Sequence, residues 1–132
     1  MEQKDYILRE IEKIGQMLLG IMGRLRKKKN RKEYHAGLTL ANQEFAEEAG
    51  LSLDMLARMD PASLDAFFDN HPELNVPNQE LLAELLTDIG EEISDEPEYY
   101  LMQALYILER IDRKEKTFSM ERAAKIEYLR GK

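Results

Sequence analysis

The 132-residue chain carries 26 acidic and 19 basic side chains, for a formal net charge of −7, and has neither cysteine nor tryptophan. That length predicts one domain, residues 1–132, able to bury about two thirds of the surface its unfolded form exposes, and the lack of cysteine excludes thiol catalysis, thiolate zinc sites and a disulfide framework and fits a reducing compartment. The opening MEQKDYILRE has no basic segment leading into an apolar run, and the most apolar stretch, the twelve residues Ile14 to Leu25, is broken by three glycines, Gln16 and Arg24 where a bilayer span asks for about 20 apolar residues, so the cytoplasm is the expected location.

Apolar residues recur at three and four rather than two, which predicts an all-α fold. In the first segment Ile7, Ile11, Ile14, Leu18, Ile21 and Leu25 make the seam of three heptads, and the spacing predicts a long helix from about Lys4 to Lys29. A second helix is expected over Glu33 to Ala49, with Tyr34, Leu38, Ala41 and Phe45 on one stripe and Gly50 as a left-handed cap. Ser52 caps a short third helix ending near Met59, and Asp60 with Pro61 opens a fourth that runs through Phe67 and Phe68. Asp69 to Pro77, with two prolines, two asparagines and His71, reads as a loop. The next helix carries Leu81, Leu82, Leu85, Leu86, Ile89 and Ile93. Asp95, ahead of Pro97, starts another, with an inner face of Leu101, Leu105, Leu108 and Ile111 and with Ala104 as a point of close approach; Ser119 caps a last helix through Ala123, Ile126 and Leu129. The expectation is six to seven helices, a long N-terminal one with a basic end (1–32) and a helical body (33–132), in a bundle or as stacked antiparallel helical hairpins.

The segments LSLDMLARMDPASLDAFF and ALYILERIDRKEKTFSMERAAKIEYLR resemble an uncharacterised family of small all-helical bacterial proteins, whose C-terminal helices are similar to tetratricopeptide hairpins. The likeness spans about residues 40–132 and rests on apolar, turn and capping positions. It implies a fold and no particular chemistry.

Charge is segregated along the chain. Residues 1–32 hold ten bases and four acids, residues 33–109 hold eighteen acids and the single base Arg58, and residues 110–132 hold eight bases and four acids. Such a chain is set up to pair its basic ends with its acidic middle, within one molecule or between two. The sharpest local feature is Arg24, Arg26, Lys27, Lys28, Lys29, Arg31 and Lys32, seven bases in nine residues with no acid among them. These are either solvated and paired with acids elsewhere, or a contact for an anion: a lipid surface, since MLLGIMGRLRKKK joins an apolar helical face to a basic end, or a nucleic acid, for which Tyr34 is the one ring nearby.

Other constellations point away from chemistry. His35 and His71 stand in neither Glu-x-x-His nor His-Glu-x-x-His spacing and read as surface or capping residues. The acids Asp88, Glu91, Glu92, Asp95, Glu96 and Glu98 lack the alternation of a calcium loop and read as a solvated face at a helix junction. Gly15, Gly20 and Gly23 lie inside the heptad pattern, not in a phosphate loop. Neighbours on a helix diverge by about 100 degrees, so one ring of each pair, Phe67 with Phe68 and Tyr99 with Tyr100, is expected to be partly exposed and open to a partner helix.

No catalytic, cofactor or metal site is expected, and the signature that would reverse this is a deep pocket in which carboxylates converge with raised pKa. The function expected is that of a non-catalytic interaction or scaffold protein working through helical packing surfaces, with binding to an anionic membrane or nucleic acid through residues 24–32 as the alternative. A homodimer through the first helix is also expected. Ile14, Met17, Leu18, Leu19, Ile21, Met22 and Leu25 spread beyond a one-sided seam, and the interior glycines suit close approach by a second helix.

Overall fold

The computed structural model describes the backbone of residues 2–132 and the side chains of residues 4–132. Among these residues there are seven helices and no strand: α1 (Glu2–Arg26), α2 (Arg31–Ala49), α3 (Leu53–Ala57), α4 (Pro61–Asp69), α5 (Val76–Glu92), α6 (Pro97–Lys114) and α7 (Met120–Arg130). The all-α expectation holds, long N-terminal helix included. No described helix is long and apolar enough to cross a membrane.

Each boundary has a local cause. Five helices begin at a side chain that accepts a hydrogen bond from the third helical amide: Asn30 from Glu33, Ser52 from Met55, Asp60 from Ser63, Asn75 from Asn78 and Ser119 from Arg122. Gly50 ends α2 at φ 87°, a left-handed conformation that costs glycine nothing, and its amide donates to the Ala46 carbonyl at 2.8 Å.

Three expected boundaries are corrected. α1 stops at Arg26, not Lys29, because the Lys27 and Lys28 amides turn back to the carbonyls of Arg24 and Leu25, and Asn30 then takes an extended conformation to cap α2. The loop expected over Asp69 to Pro77 shrinks to residues 70–75, since Asp69 still belongs to α4 and Pro77 sits in the first turn of α5, where a missing amide hydrogen is harmless. Asp95 does not start α6. Glu96 stands at the cap in a left-handed conformation (φ 52°, ψ 48°) without a side-chain capping bond, and its carboxylate is drawn instead to Arg58 at 2.7 Å.

α5 and α6 form the most extensive helix pair; α1 also packs on α5, α7 on α6, and α2 and α3 complete a circuit from α1 back to α6. Leu82, Leu85, Leu86 and Ile89 of α5 meet Tyr100, Ala104, Ile107 and Ile111 in the core. The inner face of α6 is thus rotated from the expected one, since Leu101 and Leu105 are only half-buried. At the turn of this hairpin the helices pinch at Gly90: a β-carbon there would stand 2.8 Å from the Cγ and Cδ2 of Leu101. Phe67 and Phe68 are both buried, against expectation. α4 is covered on two sides, with Phe67 against the His71 ring (4.2 Å between centroids) and Phe68 beneath the Arg110 guanidinium (5.0 Å). Tyr99 and Tyr100 do divide, one exposed and one buried.

The apolar middle of α1 is covered by its own chain. Ile14, Leu18, Ile21, Met22 and Leu25 belong to the core, Met17 is half-buried and Leu19 is exposed. Close approach at Gly15 also comes from within. The Asn78 side chain lies 2.8 Å from where a β-carbon would be, held there by hydrogen bonds from its amide nitrogen to the carbonyls of Ile11 and Glu73, both 2.9 Å.

Candidate functional site: an apolar groove and a basic corner

The outer face of α6 carries Tyr99, Met102 and Tyr106 at helical spacing. Across from them lie Ala57 and Arg58 at the end of α3, then Met59 and Pro61, and together these residues line a groove of about 420 Å³. Gln103 holds its floor: this buried amide donates to the carbonyls of Leu56 (2.7 Å) and Met59 (3.0 Å), at and just beyond the end of α3. Met102 is 67% exposed and Tyr99 41%, so two large apolar side chains stand open at one edge. Tyr106 is better anchored, its hydroxyl donating to Asp65 at 3.2 Å.

Acids outnumber bases around the groove. Arg58, the one base in the acidic middle, is committed within the chain, bridging Asp54 (3.2 Å) and Glu96 (2.7 Å) with its guanidinium 4.7 Å from the Tyr99 ring centre. Glu98 lines the groove and makes no ion pair with a described residue, and Asp60 and Asp95 are exposed nearby in sequence. Glu98 is thus the lining carboxylate outside any ion pair with a described residue, and Arg113, also unpaired among the described residues, stands 5.4 Å from the Tyr106 ring centre.

The seven bases of 24–32 are divided between the last turn of α1, the link and the first turn of α2. Arg24 pairs with Glu44, and Arg26 with Asp88 (2.7 Å) and Glu84 (3.1 Å). Lys27, Lys28, Lys29, Arg31 and Lys32 are exposed and make no ion pair with a described residue. Beside them Tyr34 is buried between two hollows of about 190 and 270 Å³, the first walled by Arg26, Lys28, Asp88, Glu91 and Glu92, the second by Lys28, Lys29 and Arg31 as well as Glu92. Its hydroxyl is the one buried side-chain polar atom without a hydrogen-bond partner among the described residues. Burial, reinforced by Glu92 and Asp88, pushes the phenol well above its ordinary pKa, so it stays protonated.

Carboxylates do converge here, but not as an acid and base pair. Asp88 is neutralised by Arg26. Glu91 accepts from the Tyr128 hydroxyl and pairs with Lys132 at 3.0 Å, which together hold it below its ordinary value. A catalytic acid would be shifted the other way. Among the described residues no three His, Asp or Glu side chains gather to hold a metal ion; His35 is exposed, and the His71 ring nitrogen lies 2.8 Å from the Phe67 carbonyl. Nothing in this geometry indicates catalysis.

The expected pairing of basic ends with the acidic middle occurs within one molecule. Besides Arg24 and Arg26, Lys13 reaches Glu48, Arg110 reaches Asp65, Lys125 reaches Glu84, Arg130 reaches Glu109 and Lys132 reaches Glu91. Sequence reasoning missed that two bases of the C-terminal block are buried. Arg110 is held by Asp65 at 2.7 Å, and Arg122 by Asp112 at 2.5 Å and the Thr117 carbonyl at 3.1 Å. It also missed the groove, whose one legible sign was the adjacent rings Tyr99 and Tyr100.

No protein-family model matches the chain, and neither a curated protein nor a solved structure matches it. The resemblance to small bacterial helical proteins therefore brings no residue roles to either region.

Proposed function

We propose that this protein is a non-catalytic docking module, and that the groove on the outer face of α6 takes a basic protein segment with apolar anchors. The carrying observation is the groove itself, where exposed Met102 and Tyr99 stand beside buried Gln103, with Glu98 among the lining residues. Tyr99 to Tyr106 covers two turns, about 10 Å of helix at 1.5 Å per residue, the reach of an i, i+3, i+7 anchor set on a partner helix. Methionine adapts to more than one anchor shape. Glu98 and the acidity of residues 33–109 favour a basic segment by steering and by disfavouring acidic competitors, while the apolar anchors supply most of the affinity.

Fluorescence anisotropy with two helix-forming peptides tests this, both with leucines at the anchor positions, one otherwise rich in lysine and the other in glutamate. The lysine peptide is expected to bind, more weakly as salt rises. Met102→Glu is expected to weaken it about tenfold or more, since a buried methionine contributes about 1.5–3 kcal/mol and about 1.4 kcal/mol is a factor of ten. Equal binding of both peptides, or no effect of Met102→Glu in a folded variant, overturns the proposal.

Self-association through α1 is a second proposal, now supported by Leu19 alone among its seven candidate contacts, together with Leu8 exposed on the same stripe. Light scattering of the wild type and Leu19→Glu tests it. A strict monomer, or a dimer indifferent to Leu19→Glu, overturns it.

A further inference from the structure

Tyr34 carries a buried hydroxyl for which the chain supplies no partner. The residue is 8% exposed and its oxygen is unbonded among the described residues, whereas buried polar atoms are in the great majority hydrogen-bonded. Tyr34 lines both hollows of the corner between α1, α2 and α5, and the acids that act on its phenol, Glu92 and Asp88, belong to their walls, so the hydroxyl end faces that side. The second hollow is also lined by Asn30 and Arg31 and so opens on the first turn of α2. There Asn30 takes the Glu33 amide at 2.9 Å, and the Arg31 and Lys32 amides have no partner within the helix.

The charges facing the two hollows reduce to a few. Asp88 is taken by Arg26, and Glu91 by Lys132 and the Tyr128 hydroxyl. Glu33, next to the second hollow, turns its carboxylate onto the Lys29 amide at 2.9 Å. That leaves Lys28, Lys29 and Arg31 against Glu92 in the lining, none of them in an ion pair with a described residue, with His35 beside them. The hollows, of about 190 and 270 Å³, are smaller than the roughly 300 Å³ at which sites for drug-sized ligands begin.

We infer that this corner binds a small phosphate monoester that also carries a hydroxyl group. The phosphate lies in the second hollow against Lys29, Arg31 and the free amides of α2, where the helix end favours an anion. A ligand hydroxyl reaches towards the first hollow, donating to Glu92 and accepting from Tyr34. A monoester carries about −1.5 to −2 charges at pH 7, which suits three free bases set against one free carboxylate. Glu92 also selects, because it repels a ligand that is anionic throughout and welcomes one that brings a donor. The Tyr34 oxygen is closed to solvent, and Lys28, which is exposed, unpaired and common to both hollows, is the side chain that swings aside to admit the ligand. The corner shares no lining residue with the groove on α6, so the inference is independent of the docking function proposed above.

Isothermal titration calorimetry on the full chain near neutral pH tests this, with glycerol 3-phosphate as the probe and glycerol, inorganic phosphate and chloride as comparisons. Glycerol 3-phosphate is expected to bind saturably and about tenfold more tightly than inorganic phosphate, which cannot span both hollows, while glycerol and chloride give no binding. Lys29→Ala with Arg31→Ala is expected to weaken both phosphates about tenfold or more. Tyr34→Phe separates a ligand contact from a structural one, since its stability is expected to hold. It should weaken glycerol 3-phosphate about threefold to tenfold and leave inorganic phosphate unchanged. No saturable binding of glycerol 3-phosphate, equal affinity for the two phosphates, or a Tyr34→Phe variant that binds as the wild type does each overturns the inference. Sedimentation with vesicles containing phosphatidic acid distinguishes a lipid-borne monoester from a free one. Vesicle binding that glycerol 3-phosphate competes away places the lipid phosphate in this same corner, and no vesicle binding leaves the free ester as the ligand. Vesicle binding that glycerol 3-phosphate does not displace, with no calorimetric binding of the free ester, marks the exposed bases 27–32 as a charged surface and overturns the site.

Discussion

Gly90→Ala will destabilise the protein even though alanine is the better helix former. An alanine in a helix interior is favoured over glycine by up to about 1 kcal/mol. Against that, the new β-carbon would stand 2.8 Å from both Cγ and Cδ2 of Leu101 and 3.1 Å from the Cβ of Tyr100. The Cβ of Tyr100 cannot swing away and Leu101 can clear the site only by leaving its rotamer, so the α5–α6 contact must loosen where the packing is most extensive. Overpacking of this kind costs about 1–3 kcal/mol, and with the helix term subtracted a net loss of about 1 kcal/mol follows, roughly 4 °C in melting temperature for a domain this size. Thermal and urea unfolding followed by circular dichroism measure it, with Gly23→Ala as the control. Gly23 is a helical glycine in α1 with nothing within 4 Å of its would-be β-carbon, so there the helix term acts alone and the protein gains stability. Adding Leu101→Ala to Gly90→Ala should return part of the loss, making the pair non-additive. If Gly90→Ala stabilises as Gly23→Ala does, the pinch between α5 and α6 is not real.

Two further outcomes follow from the corner around Tyr34 and the ion pairs beside it. Tyr34→Phe deletes a buried hydroxyl that has no hydrogen-bond partner, and leaving such a group unpaired costs about 1–3 kcal/mol; the variant should be as stable as the wild type or up to about 1 kcal/mol more so, and a clear loss in urea titration would mean the hydroxyl is bonded after all. Glu84 sets an acid limit. Burial pushes its pKa up, but hydrogen bonds from Lys125 and Arg26 more than offset this and leave it below its ordinary value. Its contribution is therefore present above the usual glutamate pKa of about 4.3 and is lost as pH falls through the depressed value. Melting temperature should drop on that limb, and Glu84→Gln should flatten part of the drop; an unchanged slope would show that the ties from α1 and α7 to α5 do not depend on this carboxylate.

What could be read from the chain was whatever depended on near neighbours. Ser52, Asp60 and Ser119 were recognisable as caps because each precedes an apolar helical pattern, and Gly50 because a periodic stripe stops there. Asn30 caps α2 equally well, yet it sits inside a basic run that continued the α1 pattern without a break, and Asn75 sits between two prolines that made the whole segment look like loop. In both cases the flanking composition outweighed one capping residue. The groove had no such local sign, because residues 57–61 and 98–106 meet only when α3 docks on α6 through Gln103, a residue whose sequence context is that of an ordinary helical glutamine.

The α1 helix marks the limit of this kind of inference. Periodicity identified Ile14, Leu18, Ile21 and Leu25 as residues that must be covered, and they are. It could not say by what, because the free energy of removing a leucine from water is the same whether the covering atoms come from α5 or from another molecule. The excess of apolar residues on α1 suggested a second chain, whereas α2 and α5 both pack on this helix and take in Met22 as well as the seam. Net charge was ambiguous for the same reason, since basic ends and an acidic middle pair equally well within or between molecules until the path of the chain is known. Part of that charge is spent internally, as Arg26, Lys125 and Arg130 show. The bases left over therefore carry more information than the total: those at 27–32 and 113–116, together with the carboxylates around Tyr99 and Met102, are what the fold leaves available for a partner.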